Sequence, residues 1–571
     1  MKKEISLILF LNIIILSLEI YNKGENWAIL ACGSSGYINY RHQADVFHVY
    51  QSLLKRGFSK NHIILFAYDD IAYHPKNPFP GEVYNRPDGP NVYDGIIIDY
   101  SDYYVNPENY LSVLKGDTQN GKLKKVLNST ENDNIFLYFS DHGIAGAIVF
   151  PNSKFLYADE LEETFKYMKD KKMYKNIIFY LESCYSGSMF NNINQDLNIY
   201  SMTAASPNEQ SLATYCFPQD FVKGEEMHTC LSNEFTSNWL DDSDSRIILN
   251  EDKNNKNKLL YNNLDEKYSS HEQFILVKNL TKSSNVQEYG NLLIGDLPIT
   301  HFQSSKDIYN ENHNNNEDKK ERTKEEEEYD EIKRKIIDFD FGLDDEDEDF
   351  FNSYKKNKNY LDDDEFDEYD LFDIISKINY DELKINNEKY NYISYIIDRN
   401  KYMRKIEENN YKKILDNKND ENDENDENNN LRGQTGKNKD IKKVIKDTKY
   451  NLLSTYVKLF YLELDISQTN DFHKYLEFQK EMKEIEKTKK LFELLKLKLN
   501  IPDNIDYNQK IDYKCLRFSI QLFKDECGID ERDLEYISLF SYECSKIDVN
   551  THIIKDSIIE LCKDKKDGLL L

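Results

Sequence analysis

The chain is long, acidic and highly charged. Its 571 residues favour two or three domains rather than one. The 103 acidic residues outnumber the 74 basic ones, which gives a formal net charge of −29. Because phosphate binding needs clustered Lys and Arg, this balance argues against nucleic acid or an anionic membrane surface as a partner.

The first twenty residues have the pattern of a secretory signal peptide. A short basic start at Met1–Lys3 precedes a mostly apolar run from Ile5 to Leu18. The alternative is an uncleaved anchor helix, but the run is shorter than the ~20 residues that a membrane span needs. We therefore expect a signal peptide over 1–20, entry into the secretory pathway, and no membrane span in the mature protein.

Residues 24–303 alternate between buried strands and amphipathic helices. Continuous apolar runs bounded by turn residues indicate strands that are buried on both faces of a parallel sheet. Helical patterns lie between them, for example at Ala44–Lys55 and Ala158–Met168. This alternation predicts an α/β domain with its ligand site at the carboxyl ends of the strands. The predicted strands are Trp27–Cys32, Ile63–Ala67, Ile135–Phe139, Ile177–Leu181 and Ile199–Ala205.

The remainder of the chain divides into two further segments. Residues 304–440 are an acidic, low-complexity segment rich in Asn, Asp, Glu and Lys, which predicts a largely disordered linker. Within it, only Tyr390–Leu415 carries enough Tyr and Ile for a marginal helix. Helical periodicity returns over 441–571, strongest at Lys480–Leu499, and predicts a small all-helical domain.

Two segments carry residues suited to nucleophilic catalysis. An apolar run ends at Asp141-His142-Gly143, and a second ends at Glu182-Ser183-Cys184. If these runs are neighbouring parallel strands, both side chains emerge at one edge of the sheet. An imidazole that accepts a thiol proton makes the sulfur a nucleophile. Alone, either residue is as well explained by a buried thiol or a turn histidine, but together they indicate catalysis.

Several longer motifs resemble those of the legumain (asparaginyl endopeptidase) family of cysteine peptidases. The resemblance covers 26–303 and resumes in the last 60 residues, where the cysteine gaps are similar to those of a legumain-type C-terminal prodomain. Several long blocks in the same order make it specific. The blocks are Asn39-Tyr40-Arg41-His42-Gln43-Ala44-Asp45, Tyr68-Asp69-Asp70-Ile71-Ala72, Asn85-Arg86-Pro87, Asp141-His142-Gly143, Glu182-Ser183-Cys184-Tyr185-Ser186-Gly187, Trp239-Leu240-Asp241-Asp242-Ser243-Asp244 and Tyr289-Gly290-Asn291.

The resemblance implies a caspase-like catalytic domain that cleaves after Asn, less often after Asp. At the matching positions Cys184 is the nucleophile and His142 the general acid/base. Asn39 would orient the histidine, and Gly143 would donate to an oxyanion. Asp141 matches a residue that some legumains use in peptide ligation, which implies a transpeptidase side activity. The specificity pocket maps onto Arg41, His42, Glu182 and Ser211.

The pocket residues suit a side-chain amide, which presents a carbonyl acceptor and an NH2 donor. Arg41 supplies a cation and Glu182 a carboxylate, although a structural ion pair would use the same residue types. Where legumains carry a second acidic residue in this pocket, the chain has Asn233 followed by Glu234. Either Glu234 takes that role in a shifted register or the pocket has lost a charge.

The eight cysteines suit an oxidising compartment. The resemblance implies disulfides Cys216–Cys230, Cys515–Cys544 and Cys527–Cys562. Zinc is the competing interpretation for the last four cysteines, but they lack a short Cys-x-x-Cys pair. Cys32 is interpreted as a buried strand thiol without function. We expect no metal and no cofactor.

These features predict an endopeptidase made as an autoactivating zymogen. The C-terminal domain would act as an intramolecular inhibitor, and proteins or peptides would be the substrates. The Asn- and Asp-rich linker is either the site of self-cleavage or an insertion without a role. Acidification would protonate carboxylates and weaken the prodomain's hold on Arg41. We expect an acidic lysosome- or vacuole-like compartment, or secretion, and Asn128 and Asn279 are candidate glycan sites.

Two other functions remain open. The catalytic subunit of glycosylphosphatidylinositol transamidase shares the His and Cys, but a C-terminal apolar span is missing and a terminal cysteine domain is present. A non-catalytic homologue that acts as a binding protein would not need His142 and Cys184 intact, although Asn233 leaves this alternative open.

Overall fold

The computed structural model describes residues 24–246, 248–251, 257–260, 267–305, 452–453, 457–469, 472–547 and 549–566. These residues belong to two compact units. One unit contains the described residues within Met1–Lys333, Val444–Tyr461 and Glu481–Leu571. The other contains those within Arg334–Lys443 and Leu462–Lys480.

A six-stranded sheet with the order β15-β8-β7-β3-β1-β2 organises the first unit. All neighbouring strands are parallel except β15, which runs antiparallel to β8 at one edge. The five predicted strands are all present, whereas the antiparallel edge strand was not predicted. The strands are β1 (Asn26–Cys32), β2 (Ile63–Phe66), β3 (Asn134–Ser140), β7 (Asn176–Glu182), β8 (Ile199–Thr203) and β15 (Gln287–Gly290).

Shorter strands lie outside this six-stranded sheet. They form a three-stranded sheet β4-β5-β6, another of order β12-β9-β16, and two hairpins. Their bounds are β4 (Gly143–Ile144), β5 (Ala147–Phe150), β6 (Lys154–Tyr157), β9 (Leu212–Thr214), β10 (Phe221–Val222), β11 (Glu225–Glu226), β12 (Ser232–Asn233), β13 (Ile248–Glu251), β14 (Asn257–Leu260) and β16 (Leu452–Leu453).

Helices flank the sheet and make up most of the described C-terminal region. Both helices predicted in the first half are present, and the first begins four residues earlier than predicted. The helices are α1 (Tyr40–Lys55), α2 (Pro107–Leu114), α3 (Ala158–Asp170), α4 (Glu234–Ser245), α5 (Ser270–Leu280), α6 (Leu292–Gly295), α7 (Thr300–Gln303), α8 (Val457–Thr469), α9 (Phe472–Lys498), α10 (Tyr513–Cys527), α11 (Leu534–Glu543) and α12 (Thr551–Lys566).

The core lies on both faces of the sheet, as the continuous apolar runs predict. Every residue of β1, β2, β3 and β8 is buried. Cys32 at the end of β1 is a buried free thiol, in agreement with its interpretation as a core residue. This core fixes the positions of the strand ends from which the candidate catalytic residues emerge.

The C-terminal helices are cross-linked by two disulfides. Cys515 is bonded to Cys544 and Cys527 to Cys562, which is the pairing that the resemblance implies. The two bridges tie α10 to the end of α11 and to α12. The strong amphipathic pattern at Lys480–Leu499 falls mostly on α9.

Several predictions concern residues outside the described ranges. These are the signal peptide over 1–20, most of the linker over 304–440, and the marginal helix at Tyr390–Leu415. The domain boundaries also remain predictions. Among the described residues, no helix has the length and apolar character needed to cross a membrane.

Candidate active site

The two candidate catalytic residues follow neighbouring parallel strands that are in register. Ser140 at the end of β3 pairs with Glu182 at the end of β7, and the Asp141 N–H donates to the Glu182 carbonyl at 3.1 Å. His142 and Cys184 therefore leave the same edge of the sheet, and each is 8% exposed. A Cβ at Gly143 would lie 2.3 Å from the Cys184 carbonyl oxygen. Only glycine allows the strand ends to approach this closely.

Hydrogen bonds select one tautomer of His142. The Asn39 side chain donates through Nδ2 to the Ser35 carbonyl at 3.1 Å, which assigns its Oδ1 atom as the acceptor. His142 Nε2 lies 3.0 Å from that Oδ1 and therefore carries the proton. The lone pair is then on Nδ1, the nitrogen left available for proton transfer.

Both members of the pair are electrically neutral in this structure. Burial, and then the charge of Arg41, lower the pKa of His142 to about 3. Burial raises the pKa of the Cys184 thiol to about 11, although its Sγ donates to the Ser211 carbonyl at 3.8 Å. A neutral thiol is a weak nucleophile, so this state is chemically silent.

A buried guanidinium and a buried carboxylate are joined by an amide next to this pair. The Arg41 Nε donates to Asn233 Oδ1 at 3.2 Å, and Asn233 Nδ2 donates to Asp45 Oδ2 at 2.7 Å. Asp45 lies one helical turn beyond Arg41 on α1 and also accepts from Ser232, Asn85 and Ser140. Burial raises the pKa of Asp45 to about 6, against these hydrogen bonds.

Glu182 has one engaged oxygen and one unengaged oxygen. Its Oε2 accepts from the backbone N–H and the hydroxyl of Thr236 at 3.0 and 2.9 Å. Its Oε1 is buried without a hydrogen-bond partner among the described residues, near Ser211. Burial, and then the negative charge of Asp45, raise the pKa of Glu182 to about 8. This carboxyl can therefore act as an acceptor or, when protonated, as a donor.

Glu234 lies outside this group. Its two carboxylate oxygens accept from the backbone N–H groups of Lys282 and Ser283 at 3.2 and 3.0 Å. Of the two alternatives from the sequence, the shifted register is therefore wrong. The neutral Asn233 contacts Arg41, and the acidic residue associated with it is Asp45.

His42 contacts Ser34 and Asp141. Its Nδ1 lies 2.8 Å from the Ser34 hydroxyl and 3.1 Å from Asp141 Oδ1. The possible ligand atoms of His42, Asp141 and His142 lie within 4.8 Å of one another. His42 and His142 are hydrogen-bonded to Ser34 and Asn39, whereas both carboxylate oxygens of Asp141 are buried without a hydrogen-bond partner among the described residues.

A C-terminal segment lies over the candidate site. We name it the cover and define it as residues 499–547 and 549–566. Its Glu531 accepts from Asn39 Nδ2 at 2.7 Å, and the Tyr507 ring packs edge-on against Tyr185 in a buried cluster that includes Cys184. Two serines of α11 contact the backbone of Ala145: its N–H donates to Ser538, and its carbonyl accepts from Ser541.

Further contacts attach the cover away from the candidate catalytic pair. Arg517 makes a bidentate ion pair with Asp159 at 2.8 and 2.6 Å and lies over the Tyr157 ring. Ile144, Ala147 and Val149 of the short sheet pack into the apolar core of the C-terminal helices. The cover is therefore docked by a continuous apolar and polar interface.

The remaining predicted site residues are a cysteine pair and two candidate glycan sites. Cys216 and Cys230 form a disulfide that closes the loop containing β10 and β11. Asn128 is exposed, whereas Asn279 is partly buried on α5 and the Thr281 of its sequon is buried.

Sequence reasoning missed three contributors to the site. Asp45 stands four residues after Arg41, a helical spacing that could have revealed it. Asn85, from a motif quoted without a role, donates to Asp45. Glu531 contacts Asn39 from 492 positions away in sequence, and no local signal could have identified it.

Comparison with known proteins finds a matching family model and several relatives. Residues 26–305 match the Peptidase C13 family. This segment, just under half of the chain, is therefore similar to that family. The chain is 41% identical to "Legumain" from Mus musculus over 286 aligned residues. The aligned segment makes up 50% of this chain and 60% of the relative.

Other relatives align over the same region. "Hemoglobinase" from Schistosoma japonicum is 40% identical over 290 residues, 51% of this chain and 62% of the relative. "Legumain" from Canavalia ensiformis is 39% identical over 282 residues, 48% of this chain and 56% of the relative. The chain thus spans about three-fifths of the length of these relatives.

Proposed function

We propose that this chain is a cysteine endopeptidase that hydrolyses peptide bonds after Asn, less often after Asp, and that it is made as a latent zymogen. The observation that carries the proposal is the placement of Cys184 and His142 on neighbouring strand ends, beside Arg41 and Glu182. The match of residues 26–305 to a peptidase family supports the reaction class.

The proposed reaction begins with proton transfer from Cys184 to His142 Nδ1. The thiolate attacks the substrate carbonyl carbon, and the oxyanion accepts from backbone N–H groups, for which Gly143 and Cys184 are the candidates. The protonated imidazole then gives its proton to the leaving amine, which leaves a thioester. Water, deprotonated by the same imidazole, cleaves the thioester and regenerates the thiol.

Arg41 and Glu182 are the proposed readers of the substrate side chain. The guanidinium would donate to the amide carbonyl, and the unengaged Oε1 of Glu182 would accept from the amide NH2. His42 and Ser211 would complete the pocket wall. A transpeptidase side activity that involves Asp141 remains part of this proposal.

The cover is the proposed inhibitory prodomain. It engages Asn39 through Glu531 and lies against Tyr185 next to the nucleophile. Burial in the covered state favours the neutral forms of Cys184 and His142, as expected for an inactive precursor. Cleavage within the Asn- and Asp-rich linker, in an acidic compartment of the secretory route, would release it.

The proposal is tested with matched fluorogenic peptides that end in Asn, Asp or Ala, assayed from about pH 4 to 8. We expect acid-treated protein to cleave after Asn and not after Ala, and the Cys184→Ala variant to be inactive. Folded, cover-free protein that cleaves none of the peptides would rule out the endopeptidase. A transamidase or a binding protein would then explain the chain better.

A further inference from the structure

The side chain that bridges the charged groups of the candidate pocket is neutral. Asn233 accepts from Arg41 through Oδ1 and donates to Asp45 through Nδ2. An aspartate at this position would place a second carboxylate against that of Asp45, and legumains carry an acidic residue at this point of the sequence. Asn233 therefore leaves the pocket with one negative charge fewer.

The other nearby acid, Asp45, is fully occupied with protein donors. It is completely buried, and its two oxygens accept from Ser232, Asn85, Asn233 and Ser140 at 2.7 to 3.2 Å. Four donors disperse its charge within the protein. Of these four donors, Asn233 is the one that also contacts Arg41.

Glu182 can present a proton to a substrate. A carboxylate substrate offers acceptors only and so requires donors, whereas an amide requires one donor and one acceptor. The raised pKa of Glu182, caused by burial and by Asp45, keeps its carboxyl protonated in mildly acidic solution. In that form its unengaged oxygen can donate, and Arg41 supplies the second donor.

In the covered state, the charge of the Glu531 carboxylate acts on the Arg41 guanidinium. Burial lowers the pKa of Arg41, and the neighbouring acids oppose this, with Glu531 of the cover acting most strongly and Asp141 and Asp45 less so. When the cover leaves, the charge of Glu531 leaves with it. The exposed pocket then becomes more favourable for an incoming anion.

We propose that the pocket takes an ionised aspartate side chain as readily as asparagine, because Asn233 withholds the negative charge that would repel it. This inference rests on the proposed peptidase function and revises its expected preference, because Asp would then be cleaved as well as Asn instead of less often. Peptides with Asp at the cleaved position are then hydrolysed about as efficiently as peptides with Asn.

The test compares kcat/KM for two peptides that differ only in Asn or Asp at the cleaved position. Acid-activated protein is assayed at pH 6 and pH 7, where the substrate aspartate is ionised because its ordinary pKa is about 3.9. We expect the two values to agree within about five-fold at pH 6, since little net electrostatic repulsion remains. A value for Asp below about one hundredth of that for Asn would overturn the inference and leave the peptidase intact.

The variant Asn233→Asp tests the cause. Its new carboxylate faces Asp45, and the two share a proton at lower pH, so the added charge is expressed more fully at pH 7. We expect the Asp-to-Asn ratio to fall at least about ten-fold at pH 7 and less at pH 6. An unchanged ratio at both pH values would refute the role of Asn233.

Glu234→Gln is the matched control because its carboxylate binds the backbone of Lys282 and Ser283, outside the pocket. It should leave the ratio within about two-fold, and a shift as large as that of Asn233→Asp would contradict the assignment. The wild-type ratio needs no variant and stands if either variant misfolds. Hydrolysis of neither peptide would defeat the proposed function and this inference together.

Discussion

Asn39 is proposed as a positioning residue because its contact is with His142, the candidate general base. Its Oδ1 holds the Nε2 proton, and its Nδ2 is fixed by Ser35 and Glu531. The helix begins at Tyr40, so Asn39 occupies the N-cap, and Arg41 and His42 lie in the first turn. One short segment thus contributes to the catalytic and specificity parts of the site together.

Replacing Asn39 should separate positioning from simple structural support. We expect Asn39→Ala to lower kcat about 10- to 100-fold with little change in KM, because the imidazole loses its preferred tautomer and orientation. Asn39→Asp keeps an acceptor for Nε2 and should restore much of kcat. Its negative charge should raise the pKa of His142 and move the acid limb of the pH profile upward. Equal kcat in wild type and Asn39→Ala would refute this role.

At the residue scale the sequence predicts chemistry better than it predicts electrostatics. Cys184 and His142 stand out because each follows an apolar strand, a local pattern. Asn233 lies 188 positions from Asp45, to which it donates, and the position of Glu234 depends on a loop from a third part of the chain. Such contacts exist only after folding, so sequence reasoning could name Asn233 but could not place it.

At the element scale, Gly143 is the residue that allows the ends of β3 and β7 to approach each other closely. A Cβ there would lie 2.3 Å from the Cys184 carbonyl oxygen, a backbone atom that cannot rotate away. We expect Gly143→Ala to lower the free energy of unfolding by about 1–3 kcal/mol and peptidase activity by at least about 100-fold. Thermal or denaturant unfolding and kcat/KM measure the two effects.

Gly89→Ala provides the matched control for that substitution. Its added Cβ would lie 2.6 Å from the Arg86 Cγ, a side-chain atom, whereas the 2.3 Å contact at Gly143 is with backbone. A smaller loss of stability than for Gly143→Ala and unchanged activity are expected for this control. If Gly143→Ala behaved like Gly89→Ala, the close approach of the strand ends would not constrain the site.

At the element scale, the long apolar strands were predictable and the short ones were not. β1, β3 and β7 read as buried strands because both faces are covered and nearly every position is apolar. The strands β4, β9 and β12 have two or three residues each, too few for any period. The N-terminal turn of α1 was missed because its polar residues point into a buried site rather than into solvent.

At the scale of the whole molecule, whether acid favours release of the cover depends on how covering changes the pKa of each group beneath it. The pKa of His142 is lowered to about 3, so the imidazole resists protonation in the covered state. To the extent that the cover causes this burial, its departure raises the pKa of His142, so a falling pH favours the uncovered state. Acid release through His142 therefore has the required sign.

Glu531 has the opposite sign, which argues against this residue as the carboxylate in the release mechanism expected from the sequence. Burial raises its pKa, although Asn39 and Arg41 oppose this. A carboxyl with a raised pKa binds protons more tightly in the covered state, so acidification through Glu531 favours the cover. Protonation of this carboxylate beside Arg41 therefore does not release the cover.

The variant Glu531→Gln distinguishes the two mechanisms in the full-length precursor. The glutamine can still accept from Asn39 and removes a buried charge, so we expect the cover to remain closed at pH 7.5 and to open at an equal or lower pH than in wild type. The rate of iodoacetamide labelling at Cys184, determined by mass spectrometry between pH 4 and 8, reports opening, with each rate compared with wild type at the same pH. Cys32 is an internal control because it lies in the sheet core and should stay unlabelled while the protein is folded. Rapid labelling of Glu531→Gln at pH 7.5 would restore the carboxylate mechanism, since loss of one negative charge would then be sufficient to free the cover.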